Sequence, residues 1–95
     1  MDIRQLELLL AVIEHGSITR AAEAVYLSPG AVSVQLQNLA GELQTELFVR
    51  TGKAFLPTPA AIRLSELARR VVSQVREIEH EFANDPARDR RPFHL

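Results

Sequence analysis

The chain has 95 residues, 46% of them hydrophobic, with no cysteine and a formal net charge of −1. That length supports one small domain, and without cysteine neither a disulfide framework nor a thiolate metal site can form. No apolar run approaches a membrane span, and the opening MDIRQLELLL carries acids where a secretion signal wants bases, so a soluble, cytoplasmic chain is expected.

Asp2 can cap a first helix, with Gln5 as its capping-box partner. Ile3, Leu6, Leu9, Leu10 and Ile13 recur at helical spacing, which predicts one buried face, and Gly16 supplies the stop. Ser17 opens a second helix over about Ile18 to Val25. Tyr26 and Leu27 form a turn, with Leu27 plugging the corner. Ser28 then caps a third helix that has Pro29 at its first position and runs to about Gln44. Its core face is Val32, Leu36, Leu39 and Leu43. Ala21, Ala22 and Ala24 are small enough to let the third helix cross close over the second. The stretch from about 18 to 37 therefore has the form of a helix-turn-helix, which offers one helix to the DNA major groove.

The texture then changes. Leu47-Phe48-Val49-Arg50 and Ala54-Phe55-Leu56 are short β-like runs around a Thr51-Gly52-Lys53 turn, ended by Pro57 and Pro59. They predict a wing over about 47–57. Thr58 caps a fourth helix, with Pro59 at its first position, that runs to about Ala83 before Asn84-Asp85-Pro86 stops it. At ~1.5 Å per residue it is roughly 35–40 Å long, too long for so small a domain to bury alone. Leu64, Leu67, Val71, Val75, Ile78 and Phe82 form an apolar stripe along it, which asks for a second helix, most simply its own copy in an antiparallel or crossed pair. The expected fold is mostly α: a winged helix-turn-helix with a three-helix core and a two-stranded wing over 1–57, then a dimerisation helix over 58–84. The remaining 85–95 show no periodicity and read as a linker, a disordered tail or a cloning remnant.

On the third helix the apolar face leaves Gly30, Ser33, Val34, Gln37 and Asn38 outward, and no charge lies between Ser28 and Gly41. Such a neutral face suits a groove. Gln37 or Asn38 can pair with adenine, Val34 can meet a thymine methyl, and Gly30 lets the backbone approach. The rival readings, which carry less weight, are a protein-contact face or simply an undercharged helix. With a net charge of −1, DNA affinity must come from a local patch. Ser17, Thr19, Arg20, Ser28 and Pro29 lie at helix starts, where N–H groups favour an anion, and Arg50 and Lys53 flank the wing turn. Capping is the competing role for Thr19 and Ser28, and a salt bridge to Glu14 or Glu23 for Arg20.

The order helix, helix-turn-helix, wing, long helix resembles the N-terminal DNA-binding region of LysR-type transcriptional regulators. MDIRQLELLLAVIEHGSITRAAEAVYLS, then Ala31-Val32-Ser33, then LFVRTGK over 47–53, then the helix opened by Thr58 carry the likeness across about residues 1–83. The resemblance implies that the third helix reads DNA, the wing approaches the backbone and the long helix dimerises. It implies a palindromic double-stranded operator, a tetrameric full-length assembly that bends DNA, and a small-molecule effector bound by a C-terminal domain outside this sequence. No cofactor is expected in this chain itself, which is either an excised DNA-binding fragment, cut near the interdomain hinge, or a standalone variant. Six positions depart from the family pattern, among them Pro29 and Gly30, which stand where glutamine and then a small residue or proline are usual. Val34 and Gln37 stand where bases are usual, Ala40 where glutamate is usual, and Ala61 where glycine is usual. The two missing bases remove the commonest guanine contact.

An enzyme is not expected. His15, His80 and His94 show no metal-ligand spacing, the glycines are scattered rather than gathered in a phosphate loop, and no serine has a nucleophile-elbow context. The rival to a DNA reader is a dimeric winged-helix protein-interaction module with weak or lost DNA binding.

Overall fold

The computed structural model describes residues 1–83. The expected tail at 85–95, the helix stop at Asn84-Asp85-Pro86 and His94 lie outside the described residues. The element order is α1 Ile3–His15, α2 Ile18–Ala24, α3 Pro29–Leu43, β1 Phe48–Thr51, β2 Ala54–Pro57 and α4 Pro59–Ala83.

Helix starts are set by local chemistry. The Asp2 carboxylate accepts from the Gln5 N–H at 2.8 Å while the Gln5 side chain accepts from the Asp2 N–H at 3.2 Å, a complete capping box. The Thr58 hydroxyl accepts from the Ala61 N–H at 3.2 Å and donates to the Glu46 carbonyl at 2.7 Å. One side chain thus starts α4 and ties it to the residue before the wing.

The core lies where α1, α2 and α3 meet. Leu8, Leu9, Val12, Ala21, Ala22, Val32, Leu36, Leu39, Leu47 and Ala61 are buried there. A second cluster joins α1 to α4 through Leu6, Ala68 and Val72. Helix α1 therefore buries two sides, and its deepest residues are Leu8, Leu9 and Val12, while Ile3, Leu10 and Ile13 are only half-buried. The single stripe expected from periodicity is right at Leu6 and Leu9 but misses Leu8 and Val12, because every position from 8 to 13 is apolar. Two smaller expectations also fail. Ala24 ends α2 exposed rather than at the helix crossing, and Leu43, in the last turn of α3, is 37% exposed.

Helix α4 packs on α1 through Ala61, Ser65, Ala68 and Val72. Their steps of four, three and four place small residues on one face, which allows close approach. The buried Ser65 hydroxyl is satisfied by the Ile62 carbonyl at 2.7 Å. The longer apolar stripe lies on another face. Leu67, Val71, Ile78 and Phe82 are exposed and Val75 is half-buried, whereas Leu64, half-buried too, departs from that face and packs against both core clusters.

Candidate nucleic-acid interface

Helices α2 and α3 are joined by a tight turn whose geometry the sequence does not announce. The Leu27 N–H donates to the Ala22 carbonyl at 2.9 Å, and the Tyr26 N–H to the Glu23 carbonyl at 3.3 Å. This is the Schellman pattern, and it needs a left-handed residue. Tyr26 takes that role with φ 60°, its ring 93% exposed. Leu27 is half-buried against the core and closes the corner as expected. Gln44 ends α3 in the same way, with φ 52°. Neither position carries the glycine or asparagine that would have signalled it.

The Ser17 Oγ accepts from the Arg20 N–H at 3.0 Å, and the Ser28 Oγ accepts from the Ala31 N–H at 3.1 Å. Both hydroxyls act as caps through a lone pair, which leaves their O–H hydrogens able to donate to an anion. Capping and phosphate contact are therefore compatible at these serines. Thr19 and Arg20 are exposed beside Ser17, and Arg20 forms no ion pair with a described residue, Glu14 and Glu23 included.

Helix α3 presents Ser28, Pro29, Gly30, Val34, Gln37 and Asn38 to solvent, with Val34 53% exposed. Ser33 is half-buried and forms part of a wall rather than a crest. That wall belongs to a cleft of about 340 Å³ between α3 and the hairpin, where Ser33 and Gln37 lie beside Arg50 and Phe55. Glu46 is the acidic residue on its rim. A second cleft of about 350 Å³ lies between the start of α2 and the hairpin, and brings Ser17 and Thr19 together with Arg50 and Lys53. Four of the expected backbone-contacting residues, distant in sequence, thus line one concavity, with Arg50 extending into both clefts, whereas Arg20, Ser28 and Pro29 line neither.

The hairpin explains that placement. Thr51 pairs with Ala54 and Arg50 with Phe55, which leaves a two-residue loop of Gly52 and Lys53. Gly52 has φ 60° and Lys53 does not share it, the pattern of a type II′ turn. Phe48, Arg50, Phe55 and Pro57 share one face of the ladder. Phe55 stacks on Phe48 with centroids 4.8 Å apart and planes 12° apart, and the Arg50 guanidinium carbon lies 5.3 Å from the Phe55 centroid. A sequence reading with a three-residue turn misses this cross-strand pairing. A two-residue loop with glycine first would have found it.

Residues 3–62 match the profile of the bacterial regulatory helix-turn-helix protein, lysR family. The chain is 39% identical over 79 residues to the RuBisCO operon transcriptional regulator of Allochromatium vinosum, covering 83% of this chain and 26% of that protein. It therefore spans about a quarter of the length of that curated relative. Among solved structures, the complex of the BenM DBD with catB site 1 DNA superimposes with a TM-score of 0.82 at 29% identity, covering 87% of this chain and 92% of that one. The CbnR DBD–DNA complex gives 0.79 at 30% identity, covering 87% and 97%.

Proposed function

The chain belongs to the lysR family of bacterial regulatory helix-turn-helix proteins, and from that premise we propose that it is the DNA-reading, dimer-forming part of a transcription regulator. Ser33, Val34, Gln37 and Asn38 of α3 face base edges, with Gly30 allowing close approach. Ser17, Thr19, Arg20, Ser28 and Pro29 at helix starts, with Arg50 and Lys53 on the wing, meet the phosphate backbone. Dimerisation runs through Leu64, Leu67, Val71, Val75, Ile78 and Phe82 of α4. Two α3 helices related by a two-fold then enter successive major grooves of a palindrome with half-sites about one helical turn apart. The longer protein forms tetramers, binds its effector through another domain, and works at the nucleoid in the bacterial cytoplasm.

The observation that carries this proposal is the convergence of Ser17, Thr19, Arg50 and Lys53 on one concavity beside the charge-free face of α3. The solved complexes of similar domains with DNA support it. Neutralising about three or four phosphates per protomer gives a dimer a slope of log affinity against log salt of about −5 to −7.

The test is selection of duplexes from a random-sequence pool, followed by polarisation titrations between about 50 and 200 mM salt. Arg50→Ala with Lys53→Ala should make the slope shallower by about 3 to 4 per dimer. A flat salt response, or a slope indifferent to the wing substitutions, would favour an α3 face that binds protein.

A further inference from the structure

Ile18, Arg50 and Phe55 line both clefts, and of these Arg50 is the charged one, its side chain long and exposed. A free arginine of this kind samples many rotamers, and ordering it on a ligand costs conformational entropy. Here the guanidinium lies over an aromatic ring, 5.3 Å from its centroid. That ring is itself fixed. Phe55 is half-buried, stacks on Phe48 at 4.8 Å, and both rings pack against the main core. Lys53, at the tip of the hairpin, lies outside this stack: of the two wing bases, Arg50 alone is held over a ring.

We infer that Phe55 is a positioning residue for DNA binding: its ring, held by Phe48, keeps the Arg50 guanidinium between the start of α2 and the face of α3, ready for the duplex. This rests on the DNA-reading function proposed above. Phe55 need not touch DNA. It acts by limiting where Arg50 can be before the complex forms, so that less freedom is lost on binding. A ring on one side of the guanidinium leaves those of its five N–H groups that point away from the ring available to acceptors.

The whole 95-residue chain is the material for the test. Its first arm needs no DNA. In the free protein, proximity to the ring shifts the Arg50 side-chain proton resonances upfield, and Phe55→Leu abolishes that shift while Phe55→Tyr keeps it. The second arm measures binding to the duplex selected with the unaltered chain. Phe55→Leu should weaken binding by about two- to fivefold per half-site, or roughly five- to thirtyfold for a dimer, the range expected of exposed cation–π contacts. In an Arg50→Ala background the same substitution should change affinity less than 1.5-fold, an outcome set by the loss of its only target. Phe55→Tyr should bind within twofold of the original.

An equal loss from Phe55→Leu with and without Arg50 would mean that the ring merely supports the hairpin, and would overturn the inference while leaving DNA binding intact. Unshifted Arg50 resonances in the original chain would overturn it as well. Failure of the unaltered chain to bind any duplex would overturn both this role and the function on which it rests.

Discussion

Replacing Leu67 and Val71 by glutamate should dissociate the dimer without unfolding the protomer. The midpoint of Pro59–Ala83 is Val71, which is 39% exposed. An antiparallel pair crossing there sets Val71 against its own copy, Leu67 against the partner's Val75 and Leu64 against the partner's Ile78. The same register places Arg63 against the partner's Glu79 and Glu66 against the partner's Arg76. Leu67 is 58% exposed, so Leu67 and Val71 together leave about one whole apolar side chain uncovered per protomer. Covering two such equivalents in a dimer stabilises it by about 3–6 kcal/mol, at roughly 1.5–3 kcal/mol for each fully buried side chain. Losing that is roughly a hundred- to ten-thousandfold in dissociation constant, before the added repulsion of carboxylates facing each other at position 71. Sedimentation equilibrium across a concentration series should show monomers for Leu67→Glu with Val71→Glu. Circular dichroism should show the protomer still helical, because neither side chain belongs to the buried clusters, while Tm should lose the concentration dependence that dimerisation gives it. A double variant that sediments as the original dimer would refute the assignment of the stripe.

Tyr26→Asn should stabilise the fold by about 0.5–1 kcal/mol, because asparagine tolerates the left-handed backbone and the exposed ring has little packing to lose. Calorimetry should show Tm rising by about 2–6 °C, and a lower Tm would count against strain at that turn. Thr58→Val removes both the α4 cap and the link to the Glu46 carbonyl and should cost about 1–2 kcal/mol in denaturant unfolding, with Thr58→Ser restoring most of it. Val34→Arg places a bidentate donor on the charge-free α3 face, where it should shift duplex selection toward a guanine at one position per half-site by about 1–3 kcal/mol. An unchanged selected sequence would mean that position 34 does not face the bases.

What the sequence revealed and what it hid divide by range. Asp2 with Gln5, Ser17, Ser28 and Thr58 are legible because a cap is a contact between residues three apart. Pro29 and Pro59 fix the helix starts for the same local reason. Tyr26 and Gln44 were not legible, because their left-handed backbones follow from how each helix end must close rather than from their own preference. Leu8 and Val12 were hidden by a run of apolar neighbours, and only the arrival of α4 on one side and of α2 and α3 on the other decides which of them goes deepest. In the candidate site, the helix-start donors and the wing bases were named from type and spacing. Their convergence depends on how the hairpin folds back toward α2, a tertiary fact that no window of sequence contains.

A net charge of −1 looks unfavourable for a protein that binds a polyanion, yet the charge is partitioned rather than spread. On α4, residues 59–70 carry Arg63, Arg69 and Arg70 against Glu66, a balance of +2. Residues 71–83 carry Glu77, Glu79 and Glu81 against Arg76, a balance of −2 with His80 neutral. A parallel pair would set each half against its own sign. An antiparallel pair sets the acidic half of one helix against the basic half of the other, so the charge pattern favours the direction that the stripe alone leaves open. Elsewhere Glu42 pairs with the Met1 ammonium and Glu7 with Arg76 at 3.6 Å. Arg50 and Lys53, by contrast, line the cleft with Ser17 and Thr19, where no acidic residue forms part of the wall. Glu42 and Glu7 are held in contacts away from the wing, while Glu46 lines the neighbouring cleft beside Arg50. On the DNA-reading function proposed above, the duplex would meet a small surplus of positive charge beside a neutral helix, which a dimer through α4 would double.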